Sequence, residues 1–407
     1  MAVQSIGSDF IVNTRTASDQ YAPTVTALPD GHFVVTWYSY DGGDGSGSLI
    51  RARLFNADGT AAGEDFVVNS TTANDQVAPT VAALPDGHFV VTWHSDDNGS
   101  GNLIRARLFN ADGTAAGDDF VVNSTTANDQ LQPTVTALPD GHFVVTWHSN
   151  DNGSDYDIRA RRFNADGTVA GDDFVVNSTT ASDQLWPAVT ALPDGHFVVT
   201  WYSYDGGDGT IRARLFNADG TAAGDDFVVN STTAGDQVVP TVTALPDGHF
   251  VVTWYSDDGG DGSGSLIRAR LFNADGTAAG DDFVVNSTTA NDQYTTTVTA
   301  LPDGHFVVTW DSDDNGSGTL IRARLFNADG TAAGDDFVVN STTASDQYNP
   351  TVTALPDGRF VVTWWSDDGG DGSGTLIRAI IIESLIRQEP ATLPRPSRRT
   401  AAATRRR

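Results

Sequence analysis

Cysteine and lysine are both absent from this chain of 407 residues, and methionine occurs once. Without cysteine, no disulfide can cross-link the fold and no thiol chemistry is possible. Arginine supplies all 23 basic side chains, which we attribute to genomic base composition rather than to mechanism. Long apolar runs are also missing, since the longest hold about five residues and a membrane-spanning helix needs about twenty. We therefore expect no membrane insertion.

Basic charge is scarce beside 53 acidic residues, and the net charge is −30. Such a surface repels nucleic-acid phosphate and anionic lipid, so we expect no nucleic-acid partner. It is compatible with divalent cations and with neutral ligands such as sugars. The segment Met1–Phe10 lacks the charged and apolar regions of a secretory signal. If the protein is exported, we expect a route without a cleaved N-terminal signal.

What the chain does contain is a repeat. The phrase Leu-Pro-Asp-Gly-[His/Arg]-Phe-Val-Val-Thr-Trp occurs seven times, at intervals of 53 to 56 residues. The tryptophans that end it are Trp37, Trp93, Trp147, Trp201, Trp254, Trp310 and Trp364. A unit of this size has too little apolar area to fold comfortably alone. The period therefore predicts a repeat architecture in which the units share one structure.

One unit contains four β-prone runs separated by turn residues. In the second copy these are A (Thr80–Leu84), B (His88–Trp93), C (Leu103–Phe109) and D (Asp119–Asn123). Pro-Asp-Gly and Asn-Ala-Asp-Gly turns separate A from B and C from D. Four antiparallel strands in each of seven units predict an all-β fold, a seven-bladed β-propeller. An open β-solenoid or a string of small sandwiches is the alternative.

The two ends of the chain are complementary. Residues Asp9–Asn13 read as a D strand with nothing before it, and the seventh unit, which ends in C at Leu376–Ile382, has no D strand. The N-terminal strand can therefore complete the last blade and remove two open sheet edges. We expect residues 1–382 to form the propeller and residues 383–407 to be a basic, disordered tail.

The B–C loops are rich in Asp, Asn and Gly. Calcium takes six to eight oxygen ligands, and such loops can supply them, so calcium is the one predicted cofactor. The candidate metal ligands are Asp41, Asp44, Asp96, Asp97, Asp205, Asp208, Asp258, Asp261, Asp314, Asp368 and Asp371. No stretch has the EF-hand pattern. The alternative is that tight loops use these residue types in any case.

The copies differ mainly at two places, just after each Asp-Gln pair and beside each B–C loop. Aromatic and histidine side chains there, next to carboxylates and amides, are typical of sugar-binding surfaces. The candidate ligand-binding residues are Tyr21, Tyr38, Tyr40, His94, His148, Trp186, Tyr204, Tyr255, Tyr294, Tyr348 and Trp365. The alternative is that these positions drift because packing does not constrain them.

The unit resembles a known kind of repeat. Its Ala-Leu-Pro-Asp-Gly-x-Phe-Val-Val-Thr-Trp, Phe-Asn-Ala-Asp-Gly-Thr and Phe-Val-Val-Asn-Ser segments, over about residues 8–380, are similar to repeats in large secreted bacterial haemolysin-type calcium-binding and adhesin-like proteins. The resemblance implies an extracellular or cell-surface bacterial protein exported without a cleaved signal. It assigns calcium to no particular residue here.

From this we expect a monomeric, non-enzymatic binding or display module whose ligand, a glycan, a protein or Ca²⁺, sits on the face bearing the D–A and B–C loops. No nucleophile motif or phosphate loop is present, and seven similar units mark no single pocket as catalytic. The alternatives are a glycan-processing hydrolase or lyase that uses the same face, and an amplified or engineered scaffold without a ligand.

Overall fold

The computed structural model describes residues 3–384 except 42–46, 97–100, 152, 154, 205–206, 258–263, 289–290, 314–317, 344 and 369–373. Over these residues the chain is all-β, with seven small antiparallel sheets arranged as a seven-bladed propeller. The predicted fold class is confirmed. No helix that could span a membrane occurs in the described part of the chain.

Each blade has its strands in the order A, B, C, D from the central channel outward. The A strands of blades 1 to 7 are β3 (Gln20–Ala27), β7 (Gln76–Ala83), β11 (Gln130–Ala137), β15 (Gln184–Ala191), β19 (Gln237–Ala244), β23 (Gln293–Ala300) and β27 (Gln347–Ala354). The B strands are β4 (Phe33–Ser39), β8 (Phe89–Ser95), β12 (Phe143–Ser149), β16 (Phe197–Ser203), β20 (Phe250–Ser256), β24 (Phe306–Ser312) and β28 (Arg359–Ser366).

The outer half of each blade is less regular. The C strands are β5 (Leu49–Phe55), β9 (Leu103–Phe109), β13 (Asp157–Phe163), β17 (Thr210–Phe216), β21 (Leu266–Phe272), β25 (Leu320–Phe326) and β29 (Leu376–Ser384). The short D strands of blades 1 to 6 are β6 (Phe66–Val67), β10 (Phe120–Val121), β14 (Phe174–Val175), β18 (Phe227–Val228), β22 (Phe283–Val284) and β26 (Phe337–Val338).

The B strands are apolar on both faces because each blade is covered by a neighbour on either side. Between blades 1 and 2, Val34 and Ile50 pack against Phe89 and Trp93 in one buried cluster. Equivalent clusters lie between the other neighbouring blades, including the pair formed by blades 7 and 1. The core is therefore a ring of interfaces rather than one central mass.

A buried hydrogen bond recurs inside every blade. In blade 3 the indole Nε1 of Trp147 donates to Oε1 of Gln130 at 2.8 Å, and both residues are fully buried. The other blades repeat it at 2.6 to 2.9 Å. An indole N–H buried without an acceptor would cost about 1–3 kcal/mol. The Gln of each Asp-Gln pair is therefore a structural residue.

The N-terminal strand closes the ring, as predicted. Strand β2 (Phe10–Ile11) pairs antiparallel with β29, and the amide of Val12 donates to the carbonyl of Ile377 at 2.8 Å. Asn13 accepts a hydrogen bond from the amide of Ile377, also at 2.8 Å. A further strand, β1 (Val3–Ser5), pairs with the end of β29 and was not predicted.

Two strand boundaries differ from the prediction. Strand β7 begins at Gln76 rather than Thr80, because the residues after the Asp-Gln pair rejoin the B strand across an irregular register between Val77 and Thr80. The D strand of the same blade is only Phe120–Val121. Strand β29 runs to Ser384, past the predicted domain boundary at residue 382, and the predicted tail beyond it lies outside the described residues.

Removing residues 1–14 should lower the melting temperature sharply, because blade 7 loses both of its outer strands and exposes β29. Thermal unfolding followed by circular dichroism measures this. Removal of residues 394–407, an equal length from the other end, is the control and should leave the transition in place. An N-terminally shortened chain that melts like the parent would contradict closure of the ring by this strand.

Replacing Gln130 with Leu should lower the free energy of unfolding by about 1–3 kcal/mol, because the indole of Trp147 loses its acceptor inside the core. Urea unfolding provides the measurement. Gln132→Leu, on the same strand but facing the central channel, is the matched control and should have little effect. Equal losses in the two variants would show that the indole bond contributes no stability of its own.

Candidate functional site

The face that carries the B–C loops and the D–A connections, called the loop face below, is lined by recurring polar residues that serve the fold. In blade 2, Oδ1 of Asp75 accepts a hydrogen bond at 3.0 Å from the amide of Ser48, at the end of the preceding B–C loop. The same contact recurs around the ring, and Thr375 to Asp19 closes it at 3.1 Å. The Asp of each Asp-Gln pair thus ties neighbouring blades together.

The variable residues lie where the A strand bulges. The register between A and B strands shifts in every blade just after the Asp-Gln pair. The residues in the bulge have positive φ angles of 24° to 52°, which non-glycine residues rarely adopt. They are Ala22, Ala78, Gln132, Trp186, Val239, Thr295 and Asn349, and they line a cavity of about 240 Å³ in the central channel. The bulges therefore bring residues that differ from blade to blade to the channel mouth.

Five of the predicted ligand-binding residues form a continuous row of aromatic rings, called the aromatic row below. The Tyr348 ring lies 4.6 Å from that of Trp365, which lies 5.1 Å from that of Tyr21. Tyr21 is followed by Tyr38 at 5.6 Å, and Tyr38 by Tyr40 at 5.9 Å. The row runs from blade 7 onto blade 1. Adjacent rings on a polar surface can stack against successive sugar units.

A second aromatic group lies on blade 4. The Trp186 ring is 5.5 Å from that of Tyr202, and Tyr202 is 6.5 Å from Tyr204. The amide of Trp186 approaches Nδ1 of His148 at 3.4 Å. Burial lowers the pKa of His148 to about 3, so its imidazole is neutral near pH 7 and can accept this contact.

A cavity of about 680 Å³ opens at the end of the aromatic row, across blades 1 to 3, and is called the blade 1–3 cavity below. Tyr38, Tyr40, His94, Asp75, Asp96 and Asp129 are among its lining residues. Burial lowers the pKa of His94 to about 4, although Asp129 and Asp75 act in the opposite direction. Its Nδ1 is buried without a hydrogen-bond partner among the described residues.

A buried carboxyl lies near the other end of the row. Asp311 is 2% exposed, and its Oδ1 has no hydrogen-bond partner in the described structure. Burial raises the pKa of Asp311 to about 7, with a hydrogen bond from Thr295 acting in the opposite direction. Asp311 is the strand partner of Tyr294, and its charge also acts on Tyr348 of the next blade. A carboxyl with this pKa can give or take a proton near neutral pH.

The predicted ligand-binding residues thus lie in separate groups on the propeller. Tyr294 lies beside Asp311, and its hydroxyl donates to Asp292 at 2.8 Å. Burial, together with that bond, raises the pKa of Tyr294 to about 12. Tyr255 belongs to neither aromatic group, because it packs against the buried cluster between blades 5 and 6. The aromatic row, the blade 1–3 cavity and the blade 4 group contain the rest, except His148 of blade 3, which contacts the blade 4 group through Trp186.

Two residues of these places were not among the predicted site residues. Asp311 and Tyr202 occupy the position after the repeat Trp, where the copies carry Tyr, His, Asp or Trp. That variation was the available signal in the sequence. The chemical importance of Asp311 comes from its burial, which the sequence does not reveal.

Of the four predicted calcium ligands that the structure describes, three already accept hydrogen bonds or ion pairs. Asp41 accepts two contacts from Arg51, at 3.0 and 2.8 Å, and Asp368 accepts two from Arg378, at 3.1 and 2.6 Å. Asp208 accepts the amide of Gly235 at 3.1 Å, and Asp96 lines the blade 1–3 cavity. Asp44, Asp97, Asp205, Asp258, Asp261, Asp314 and Asp371 lie outside the described residues. Within the described ranges no three acidic or histidine side chains form a metal-sized group, and calcium binding stays a prediction.

The paired arginines of the C strands make contacts that hold the outer parts of the blades together. The first Arg of each C-strand pair bonds the Asp before the D strand, as with Arg105 and Asp119 at 2.8 Å. The second Arg donates to the neighbouring blade, as with Arg107 and the carbonyl of Val68 at 2.8 Å. The first arginine thus makes its contact within its own blade and the second joins two blades, so neither is a ligand-binding candidate.

No protein-family model matches the sequence, and neither does any curated protein. The fold does resemble solved β-propeller structures. A protein of unknown function from Dyadobacter fermentans has a TM-score of 0.58 at 13% identity, over 94% of this chain and 99% of that one. The polysaccharide lyase Uly1 has a TM-score of 0.54 at 11% identity, over 90% of each chain. An α-L-arabinofuranosidase from Fusarium graminearum has a TM-score of 0.53 at 13% identity, over 75% of this chain and 92% of that one.

At these identities the likeness shows the fold alone. It nevertheless corrects one expectation, because the chain was expected not to be an enzyme. Solved propellers that resemble it over most of its length include a glycosidase and a polysaccharide lyase. The repetition of seven similar units was a wrong reason to exclude catalysis, since single positions such as Asp311 differ in environment from their counterparts in other blades.

The buried carboxyl of Asp311 should make the free energy of unfolding depend on pH. Between pH 4 and 7 the folded state keeps the Asp311 proton that the unfolded chain, with a carboxyl pKa near 3.8, has lost. The free energy of unfolding should therefore fall as pH rises through this window. Asp311→Asn should remove that component and be more stable than the parent at pH 8 by a few kcal/mol, at about 1.4 kcal/mol per pKa unit.

Urea unfolding at pH 4.5 and pH 8 measures the effect. Asp313→Asn, two residues further along and exposed, is the matched control and should follow the parent at both pH values. If Asp311→Asn tracked the parent as well, the carboxyl would not hold its proton near neutrality.

Proposed function

We propose that this protein is an extracellular glycan-processing enzyme that binds a polysaccharide along the aromatic row and cleaves it beside Asp311. The observation that carries the proposal is the combination of five successive aromatic rings with a buried carboxyl, of pKa about 7, near one end of the row. Rings stack on the apolar faces of sugars, and a carboxyl of this kind suits proton transfer to a glycosidic oxygen.

Charge favours hydrolysis over elimination. Lyases act by β-elimination on uronic acid units, so their substrates are polyanions. The net charge of −30 repels such a polymer. An uncharged or cationic polysaccharide meets no such barrier, and its glycosidic bonds can be broken by hydrolysis.

In the proposed reaction Asp311 is the general acid. It protonates the leaving glycosidic oxygen as the bond to the anomeric carbon breaks, and a water molecule adds its hydroxyl to that carbon and gives its remaining proton to a second carboxylate. The carboxylate of Asp346 lies close enough to raise the pKa of Tyr348, as Asp311 does, and is the candidate second carboxylate. Because Asp311 is 2% exposed, the substrate reaches it after a local rearrangement of the loop face.

The comparisons support this proposal by analogy of fold. An α-L-arabinofuranosidase and a polysaccharide lyase share the propeller architecture with this chain. Because fold does not fix function, the argument rests on the residues of the loop face. A polysaccharide substrate agrees with the expected location outside the cell.

Release of reducing ends from a panel of uncharged and cationic polysaccharides tests the proposal. The parent protein should hydrolyse at least one member, and Asp311→Asn should lower kcat by about 10²- to 10⁴-fold, the usual contribution of a general acid. Asp313→Asn is the control and should keep the parent rate. A parent protein inert toward the whole panel, or an Asp311→Asn variant with the parent rate, would contradict the assignment.

A further inference from the structure

We infer that the blade 1–3 cavity is a subsite for a cationic amino sugar, a hexosamine unit with a free ammonium group. This deepens the proposed function, since it names the substrate class for the far end of the aromatic row. The inference starts from the size of the cavity, about 680 Å³, which lies within the roughly 300–1,000 Å³ of small-ligand sites.

The charge of the cavity is negative and unbalanced. Asp75, Asp96 and Asp129 line it, and no basic side chain is among the described lining residues. The remaining titratable groups there are Tyr40, His94, which is neutral near pH 7, and Tyr38, whose pKa burial raises to about 12. The cavity therefore favours a ligand that brings its own positive charge.

The carboxylates still have acceptor capacity. The Oδ1 atom of Asp75 accepts hydrogen bonds from Ser48. The Oδ1 atom of Asp129 accepts two from Asn102, at 3.2 and 3.1 Å. The Oδ2 atom of each carboxylate has no partner among the described residues. The Nδ1 atom of His94 is buried and equally unpartnered. A sugar unit can satisfy such groups together, because its ammonium and hydroxyl groups are spread around a ring.

The distances between the polar side chains of the cavity favour a sugar over a metal ion as the ligand. The described acidic and histidine side chains do not converge closely enough to surround one ion. Tyr38 and Tyr40 add two ring faces, which attract an ammonium group through cation–π interaction and cover the apolar face of a sugar. The arrangement thus fits a ligand of several ångströms with separated polar groups.

The cavity also continues the aromatic row, since Tyr38 and Tyr40 belong to both. A chain held there extends along Tyr21 and Trp365 toward Asp311. The subsite thereby recognises a sugar unit remote from the bond that is cleaved.

Calorimetric titration at pH 6 with a β-1,4-linked glucosamine disaccharide, and with its N-acetylated form, tests the inference. The amine form is cationic at this pH and should bind at least tenfold more tightly. Its affinity should fall as salt rises, because screening weakens the attraction between charges. Asp96→Asn should weaken binding several-fold, since it removes one exposed carboxylate from the cavity.

Asp257→Asn, at the same repeat position in blade 5 and outside the cavity lining, is the matched control and should bind like the parent. Equal affinity for the two disaccharides, or an unchanged affinity in Asp96→Asn, would overturn the inference. So would Ca²⁺ that binds at millimolar concentration and displaces the disaccharide. Asp311→Asn should bind the amine form of the disaccharide like the parent while it loses cleavage. Binding in the cavity and hydrolysis by Asp311 can therefore fail independently of each other.

Discussion

The structure depends on one buried hydrogen bond repeated around the ring, between the tryptophan that ends each Phe-Val-Val-Thr-Trp segment of a B strand and the glutamine that opens the A strand. An indole N–H placed in the core must find an acceptor there. The glutamine supplies it at 2.6 to 2.9 Å in all blades. Because this bond fixes the start of each A strand, it also fixes the bulge that follows and the loop face built on that bulge.

This constraint divides the repeat into two sets of residues. The Asp-Gln pair, the Arg pair of the C strand and the aromatic core are used for contacts within and between blades, and they barely vary. The bulge residue and the residue after the tryptophan make no such recurring contact, and they vary most. A ligand-binding surface can therefore differ from blade to blade without loss of the fold.

Sequence reasoning predicted the hairpin order, the number of blades and the closing strand, because these follow from local turn chemistry and from complementary ends. It placed the start of strand A late, because Ala-Asn-Asp-Gln reads as a loop and only the tertiary contact of Gln76 with Trp93 draws it into the sheet. It found the aromatic row as single residues but not as a row, since ring order depends on how blades 7 and 1 meet. It missed Asp311, whose pKa depends on burial by neighbouring strands.

Near-symmetry and a single reactive position are compatible in this fold. The same backbone position holds Tyr38, His94, Asp311 and Trp365 in four of the blades, where Asp311 is buried and the other three residues are half-buried. Enclosure acts differently on each: it makes an imidazole neutral, raises the pKa of a carboxyl, and leaves an indole as a stacking surface. One substitution per blade is therefore enough to turn a ring of similar sites into a sequence of distinct ones. A polysaccharide lying across blades 7 and 1 would meet a proton donor at one end and a negative cavity at the other. Only a surface with such an asymmetry can bind a linear polymer of uniform units in a single orientation.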